Sequence, residues 1–290
     1  MSFKIVVLAK QVPDTRNVGK DAMKEDGTVN RAALPAIFNP EDLNALEMAL
    51  QIKDQLEDVH ITLVTMGPPR AAEIVRDALF RGADNGIVVS DRKVAGSDTL
   101  ATSYMISQAV KKVGDVNLIL AGRQAIDGDT AQVGPQVAEK LEIPQITYAE
   151  EVVDINKDTI KIKRRLERGV EVVESSFPCL ITVHGSAKEC RPYHAKRLMK
   201  YKNAVCRTEA QGKGIDADKL FKERPYLKIE EWCAKDCEAL DDRIGLIGSP
   251  TKVKKIENVV LTQKDNVQLS SSDEDINMLM KELISSHILG

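Results

Sequence analysis

Ala121-Gly-Arg-Gln-Ala-Ile-Asp-Gly-Asp-Thr-Ala-Gln-Val-Gly-Pro135 is the stretch that indicates most about how this chain folds. It follows an apolar run, 116–120, that predicts a buried parallel strand. It leads into a helix predicted from Val133, Val137 and Leu141, which lie one turn apart. Because free backbone N–H groups and the positive end of the helix dipole meet at such a junction, the stretch predicts a phosphate site. Its two Asp residues and its lack of Lys indicate a ligand that also offers a sugar or base edge.

Strands and helices alternate on the N-terminal side of this junction. Strands are predicted over 4–12, 59–66, 85–90 and 117–121, and helices over 40–52, 70–81 and 97–113. Asn39-Pro-Glu-Asp42 predicts the start of the first helix, with Asn39 as N-cap and Pro40 in the first helical position. Residues 14–38 are polar and have no clear period, so they predict a long excursion. The fold class is therefore α/β, with a doubly wound, mostly parallel, Rossmann-like sheet.

The pattern changes in the second half of the chain. A hairpin is predicted from 147–155 and 159–166, and further strands from 170–175 and 180–184. The pattern thins after about residue 212 and ends in an amphipathic helix over 273–287. We therefore expect a nucleotide-binding domain over 1–212 and a C-terminal arm over 213–290. The apolar face of the last helix is expected to pack either on its own domain or on a partner subunit.

Composition excludes several classes of function. The net charge of −3 argues against general affinity for nucleic acid or for an anionic membrane surface. No apolar stretch approaches the ~18 residues that span a bilayer, and the N-terminus lacks the pattern of a signal peptide, so a cytoplasmic protein is expected. Five scattered Cys residues argue against a disulfide framework. Cys233 and Cys237 could form half of a metal site, but no matching second half exists, so ordinary thiols are favoured.

No side chains in the sequence form a recognisable catalytic cluster, and no catalytic residue is predicted. The four His residues are dispersed, and no Ser or Cys stands in a nucleophile motif. A bound cofactor that carries the chemistry would need no such residues. Neither the Gly-x-Gly-x-x-Gly fingerprint nor the P-loop motif is present, which argues against a standard dinucleotide site and a P-loop NTPase.

A ligand site is still expected where strands one and four end. Ligands of open α/β sheets bind at the carboxyl ends of the strands, where the strand order reverses. Gly122 and Gly128 would allow close backbone approach or positive φ, and Asp127 or Asp129 could cap the helix and bind ribose hydroxyls. Thr130 and Gln132 could donate to phosphate. The alternative is a capped loop that holds no ligand.

Five ordered motifs resemble the β subunit of electron transfer flavoprotein over nearly the whole chain. They are Lys4-Ile-Val-Val-Leu-Ala-Lys-Gln-Val-Pro13, Asn39-Pro-Glu-Asp42 with Ala45-Leu-Glu47, 121–134, Val137-Ala-Glu-Lys-Leu-Glu-Ile-Pro144 and Gly245-Leu-Ile-Gly-Ser-Pro-Thr251. The resemblance implies a heterodimer with an α subunit that carries its own FAD. It also implies an arm that reaches onto that subunit, and an adenine nucleotide in the β subunit. The residues that the resemblance assigns to this nucleotide are Ala9, Asn39, Pro40, Glu41, Asp42, Met66, Gly122, Arg123, Gln124, Ala125, Ile126, Asp127, Gly128, Asp129, Thr130, Ala131, Gln132 and Val133.

Residues 191–200 are similar to the segment of this family that docks on an acyl-CoA-type or related flavin dehydrogenase. Lys196-Arg197 departs from the pattern, because the mitochondrial type of the family has an apolar anchor there. This departure puts in question a standard medium-chain acyl-CoA dehydrogenase as the partner.

The 127–135 loop is similar to that of the flavin-bifurcating branch, in which a second FAD replaces AMP. Gly128 removes a charge and bulk beside a pyrophosphate, and Ala131 leaves room for a longer ligand. The resemblance then implies that NADH reduces the FAD of the β subunit. One electron would pass to ferredoxin and the other to the α-subunit FAD and the dehydrogenase. Two alternatives stay open: a non-bifurcating carrier with structural AMP, and a nucleotide-binding regulatory module that acts without an α subunit.

Overall fold

A nine-stranded sheet forms the centre of the structure, a computed structural model that describes residues 2–14, 35–251 and 267–289. The described residues form the following strands, of which β2 and β3 lie outside this sheet. They are β1 (Phe3–Leu8), β2 (Gln11–Pro13), β3 (Ala36–Phe38), β4 (Val59–Met66), β5 (Asn85–Val89), β6 (Leu118–Gly122), β7 (Gln145–Ile155), β8 (Thr159–Leu166), β9 (Gly169–Ser176), β10 (Cys179–Val183) and β11 (Glu230–Trp232). The helices are α1 (Pro40–Gln55), α2 (Ala72–Arg81), α3 (Thr99–Val113), α4 (Val133–Leu141), α5 (Ala195–Tyr201), α6 (Arg207–Gly212), α7 (Ala217–Glu223) and α8 (Asp273–Ser285).

The strand order in this sheet is β11-β5-β4-β1-β6-β10-β7-β8-β9. Every pair from β11 to β7 is parallel, while β7, β8 and β9 form antiparallel pairs. The α/β class and the 147–166 hairpin are therefore confirmed. The second predicted strand, over 59–66, has the same bounds in the structure.

The central strand β1 is buried on both faces, which explains its continuous apolar sequence. Ile5 and Val7 contribute to the core under α1 and α2, whereas Val6 and Leu8 contribute to the core under α3 and α4. Successive side chains of a strand point to opposite faces, so one apolar strand supports both layers of helices.

The strand order reverses between β1 and β6. After β1 the chain forms β4 and β5 on one side, and it then returns to pair β6 with the other side of β1. Leu8 at the end of β1 is in register with Ala121 in β6. The crevice that such a reversal opens is the usual ligand position in doubly wound sheets.

The strand predicted over 4–12 is wrong in one respect, because the structure divides it in two. β1 ends at Leu8, and β2 pairs with β3 in a separate antiparallel ribbon. The break falls where the N–H of Lys10 donates to the Asp42 carboxylate instead of to a neighbouring strand. Of the predicted 14–38 excursion, 36–38 form β3, and 15–34 lie outside the described residues.

The C-terminal region begins as part of the sheet and ends as an uncovered helix. β11 pairs with β5, and Ile244 is buried in the core beneath α3, so the domain continues well past residue 212. None of the residues of α8 is buried, and Ile276 and Ile284 are about half exposed. Within the part of the chain that the structure describes, this helix therefore does not pack on its own domain. None of the helices that the structure describes is both long and apolar enough to cross a membrane.

Candidate functional site

A cleft of about 400 Å³ lies at the carboxyl ends of β1, β4 and β6, at the point where the strand order reverses. Most of the residues predicted for the nucleotide line it: Ala9, Asp42, Met66, Gly122, Arg123, Gln124, Ala125, Gly128, Asp129, Thr130, Ala131, Gln132 and Val133. Asn39, Pro40, Glu41, Ile126 and Asp127 do not line it. The contacts of this second group show that several of them hold the cleft in shape.

Asn39 ties the 121–135 loop to the start of α1. Its Nδ2 donates to the carbonyl of Gln124 at 2.9 Å, and its Oδ1 accepts the N–H of Ile126 at 3.1 Å. The residue is at the N-cap position, as predicted, but its side chain does not cap the helix. The predicted N-cap position is therefore confirmed, while the loop across the cleft uses both polar atoms of the amide.

Asp42 joins the ends of the two central strands. Its carboxylate accepts the N–H of Lys10 at 2.8 Å and the N–H of Gly122 at 3.0 Å. Burial raises the pKa of Asp42 to about 7, although these N–H donors and Asn39 act in the opposite direction. A single buried carboxyl therefore fixes the floor of the cleft, and its proton is lost near neutral pH.

Gly122 allows the end of β6 to approach the first turn of α1. A Cβ at this position would lie 2.4 Å from Oδ1 of Asp42 and 2.7 Å from its backbone nitrogen. Gly128 is different, since a Cβ there would meet no atom within 4 Å and its φ is not positive. The close approach expected at Gly122 is therefore observed between two protein segments, and the role of Gly128 beside a ligand stays a prediction. Asp129 and Ala131 have positive φ instead, at 48° and 52°.

Both cations that line the cleft are already paired. Lys10 lies 2.7 Å from the carboxylate of Asp127, and Arg123 lies 2.9 Å from that of Glu41. These carboxylates compete with any phosphate for the two cations. An anion in the cleft would therefore depend mainly on backbone N–H groups.

Such N–H groups are present at the start of α4. Among the described residues, no acceptor lies within hydrogen-bond range of the N–H groups of 130–133, all of which belong to residues that line the cleft. The N-cap position of α4 is Gln132, which makes no capping bond. The prediction that Asp127 or Asp129 caps this helix is wrong, because Asp127 pairs with Lys10 and Asp129 accepts from Gln124 at 2.8 Å. The helix start is thus open to an anionic ligand.

Pro135 suits this helix start, whose first N–H groups have no intrahelical acceptor. It is the third residue of α4, so it lies in the first turn, as predicted, where its missing N–H is tolerated. The regular ladder of the helix begins only after it, since the N–H of Gln136 donates to the carbonyl of Gln132.

The second wall of the cleft was missed by the sequence analysis. It comes from the start of α3 and the segment before it, together with residues next to those predicted: Leu8, Lys10, Val94, Gly96, Ser97, Asp98, Thr99, Thr102, Ile106 and Ala121. Asp98 caps α3 by accepting the N–H of Ala101 at 3.0 Å, and Thr99 donates to Gln132 at 2.9 Å across the cleft. Asp98, directly before the helix over 99–113, is the sequence signal from which this second helix start could have been found.

The doubly wound sheet, the cleft at its reversal point and the helix starts around it define a Rossmann-like α/β protein with an open cleft at the usual ligand position. A family model described as the electron transfer flavoprotein domain matches residues 26–210. The chain is 41% identical to "Electron transfer flavoprotein subunit beta" of Megasphaera elsdenii, an alignment that covers 99% of this chain and 100% of that protein. It is 40% identical to "Acryloyl-CoA reductase electron transfer subunit gamma" of Anaerotignum propionicum, with 99% and 100% coverage.

A third relative is "Caffeyl-CoA reductase-Etf complex subunit CarD" of Acetobacterium woodii, which is 49% identical over 62% of this chain and 68% of its own length. The chain belongs to the electron transfer flavoprotein family, as a β subunit. Its general function is electron transfer, and membership of this family implies an α-subunit partner and complexes with dehydrogenases.

Proposed function

We propose that this β subunit binds FAD in the cleft and, together with an α subunit that carries a second FAD, passes electrons from NADH to ferredoxin and to a partner dehydrogenase by electron bifurcation. The observation that carries the proposal is the set of free N–H groups of 130–133 at the open start of α4. FAD, when bound, supplies the hydride acceptance and one-electron release that the side chains of the cleft lack.

The form of the cleft favours a dinucleotide over AMP. The open start of α4 offers a place for a phosphate, and the cleft continues from there to the wall at the start of α3, which gives length for a ligand larger than AMP. Small residues, Gly96, Gly128 and Ala131, occur on both walls and leave space for the longer ligand. The residues proposed to hold the nucleotide are those predicted from the sequence, with Asn39, Glu41 and Asp127 acting through the loop and its ion pairs.

The exposed helix α8 supports an arm that binds the α subunit. Its apolar side chains Ile276, Leu279, Met280 and Ile284 are all more than a third exposed. An apolar helix face of this kind needs a partner surface, and the family supplies one in the α subunit. We place the start of the arm after Thr251, because β11 and Ile244 belong to the α/β domain.

Residues 191–200 are proposed to dock on the dehydrogenase, and the structure clarifies the role of Lys196-Arg197. The guanidinium of Arg197 faces the protein and donates to the carbonyls of Leu79 and Ala83 at the end of α2. Only Lys196 of the pair is therefore exposed, next to an exposed Met199. A basic surface with an apolar centre replaces the apolar anchor of the mitochondrial type.

The docking segment is joined firmly to α1. Glu47 accepts from the Nε and the backbone N–H of Arg191 at 2.9 and 3.0 Å, and only 2% of Glu47 is exposed. Asp54 on the same helix accepts from Nη2 of the same guanidinium at 2.8 Å, and this nitrogen also donates to Glu47. A paired, buried charge of this kind fixes the position of the segment.

The cofactor content of the purified heterodimer tests the proposal. We expect acid extraction and chromatography to give two FAD molecules and no AMP per heterodimer. One FAD and one AMP would contradict bifurcation and support the non-bifurcating carrier, which the family membership also allows. Stable folding and nucleotide binding by this chain alone, with no flavin and no partner, would favour the regulatory module.

Blocking the cleft should distinguish the role of the β-subunit flavin from that of the α-subunit flavin. Gly128→Leu is expected to empty the β site and reduce NADH oxidation at least about 100-fold, since the side chain extends into space that no protein atom occupies. The α-subunit FAD should be retained. Gly128→Ala is the matched control and should keep most of the activity. Survival of NADH oxidation with an empty β site would disprove the assignment.

The thiol state of the cysteines bears on the location of the protein in the cell. All five cysteines are free thiols in the structure. Free thiols suit a reducing compartment, which supports a cytoplasmic location.

A further inference from the structure

Asp98 connects the wall of the cleft to the root of the C-terminal arm. One carboxylate oxygen caps α3 through the N–H of Ala101, at 3.0 Å. The other accepts from the N–H and the hydroxyl of Thr251, at 3.0 and 2.7 Å. The two carboxylate oxygens therefore join segments that are 153 residues apart in the sequence.

The whole 245–251 motif packs on the same wall. The N–H of Asp98 donates to Ser249 at 2.9 Å, and the N–H of Gly245 donates to Ser97 at 3.0 Å. A Cβ on Gly96, which lines the cleft, would lie 2.8 Å from the side chain of Leu246. These contacts are independent of the Asp98 carboxylate, and they show that the motif and the start of α3 form one packed unit.

The charge of Asp98 strengthens this connection. Burial would raise its pKa, but the hydrogen bonds from Ala101 and Thr251 outweigh that effect and hold the pKa below its usual value. An ionised acceptor makes stronger hydrogen bonds than a neutral one. The bonds to Thr251 are therefore charge-assisted at neutral pH.

We propose that Asp98 is a positioning residue, and that its bonds to Thr251 make the root of the arm a structural part of the nucleotide site. The inference rests on the proposed function, because it requires a nucleotide in the cleft. The start of α3 contributes Ser97, Asp98 and Thr99 to the wall, and the 245–251 motif packs against this turn through Ser97 and Asp98. Loosening the motif from the side of Thr251 should therefore weaken nucleotide binding without changing a residue that lines the cleft.

Two substitutions test the bonds between Asp98 and Thr251 separately from the N-cap that Asp98 provides for α3. Asp98→Ser keeps an N-cap of α3, since Ser is a good capping residue, but its shorter side chain cannot reach Thr251. Thr251→Val removes the hydroxyl bond from the other side. Asp91→Ser is the matched control, because Asp91 caps a short helix through Lys93 and accepts the N–H of Ala234, yet does not line the cleft.

The test is the affinity of nucleotide-stripped heterodimer for FAD and for AMP, measured by titration calorimetry, with urea unfolding alongside. Asp98→Ser and Thr251→Val should each weaken nucleotide binding about tenfold, the scale of one hydrogen bond to a charged group. The double variant should lose no more nucleotide affinity than either single variant. Asp91→Ser should keep the parental affinity, although its free energy of unfolding falls by an amount similar to that of Asp98→Ser.

Parental affinity in either Asp98→Ser or Thr251→Val would overturn the inference, as would additive losses in the double variant. Thr251→Val keeps the test valid if Asp98→Ser fails to fold. The proposed function fails in a different way, since the parental heterodimer would then bind AMP in place of the second FAD, or no nucleotide in the cleft.

Discussion

Gly122→Ala should lower the free energy of unfolding by about 3 kcal/mol and empty the proposed nucleotide cleft. The added Cβ would lie 2.4 Å from Asp42 Oδ1 and 2.7 Å from backbone atoms of Asp42 and Glu41. Backbone atoms of a helix cannot move aside as a flexible side chain can. Relief would have to come from shifting α1 away from β6, which would also break the bond from the Gly122 N–H to Asp42.

Urea unfolding of the two subunits, with the retained nucleotide measured on the same samples, checks this prediction. Gly128→Ala is the control, because it adds the same methyl group to the same loop in open space. It should change the free energy of unfolding by less than about 1 kcal/mol. Equal destabilisation by the two substitutions would show that the close packing of Gly122 is not what holds the cleft.

The second large effect concerns the pH dependence of stability through Asp42. Its pKa is about 7 in the folded protein and 3.8 when unperturbed, so the folded state holds the proton more tightly. Between about pH 4 and pH 7 this group therefore contributes stability that is complete at low pH and is lost as the pH rises. The shift corresponds to about 4 kcal/mol over that range.

Asp42→Asn removes this titration and isolates its contribution. The amide can accept only one of the two N–H groups of Lys10 and Gly122, so at pH 5 the variant should be less stable than the parent. The difference should shrink or reverse by pH 8, because the parent then carries a buried charge and the variant does not. Urea unfolding from pH 5 to pH 8 measures it, with Asp154→Asn, an exposed carboxylate, as the control. A difference that stays constant with pH would contradict the raised pKa.

Local sequence patterns predicted most of the elements but few of the side-chain contacts of the cleft. The strand over Val59–Met66 and the 147–166 hairpin depend on periodicity and turn residues within one segment, which the sequence contains. The role of Asn39 depends on a loop that is 85 residues away in the chain. A capping side chain and a loop-binding side chain have the same sequence pattern, so only the folded structure distinguishes them.

The missed wall of the cleft has a similar explanation. A helix over 97–113 was predicted and lies at 99–113, but its start lines the cleft because the strand order reverses beside it and the 245–251 motif supports it. The orientation of Arg197 likewise depends on the carbonyls at the end of α2, which lie more than 100 residues earlier. Tertiary contacts of this range leave no periodic pattern in the sequence.

Helix α1 fixes the distance between the cleft and residues 191–200. Its first turn holds the cleft through Glu41 and Asp42, and Glu47, about 9 Å further along the axis, holds Arg191 at the docking segment. A helix is stiff over this length, so the proposed nucleotide cleft and the proposed docking segment keep a constant separation. Any reorientation toward a partner would then move both together with the whole domain. Such a swing can change the tunnelling distances to the neighbouring subunits while the internal distance stays fixed.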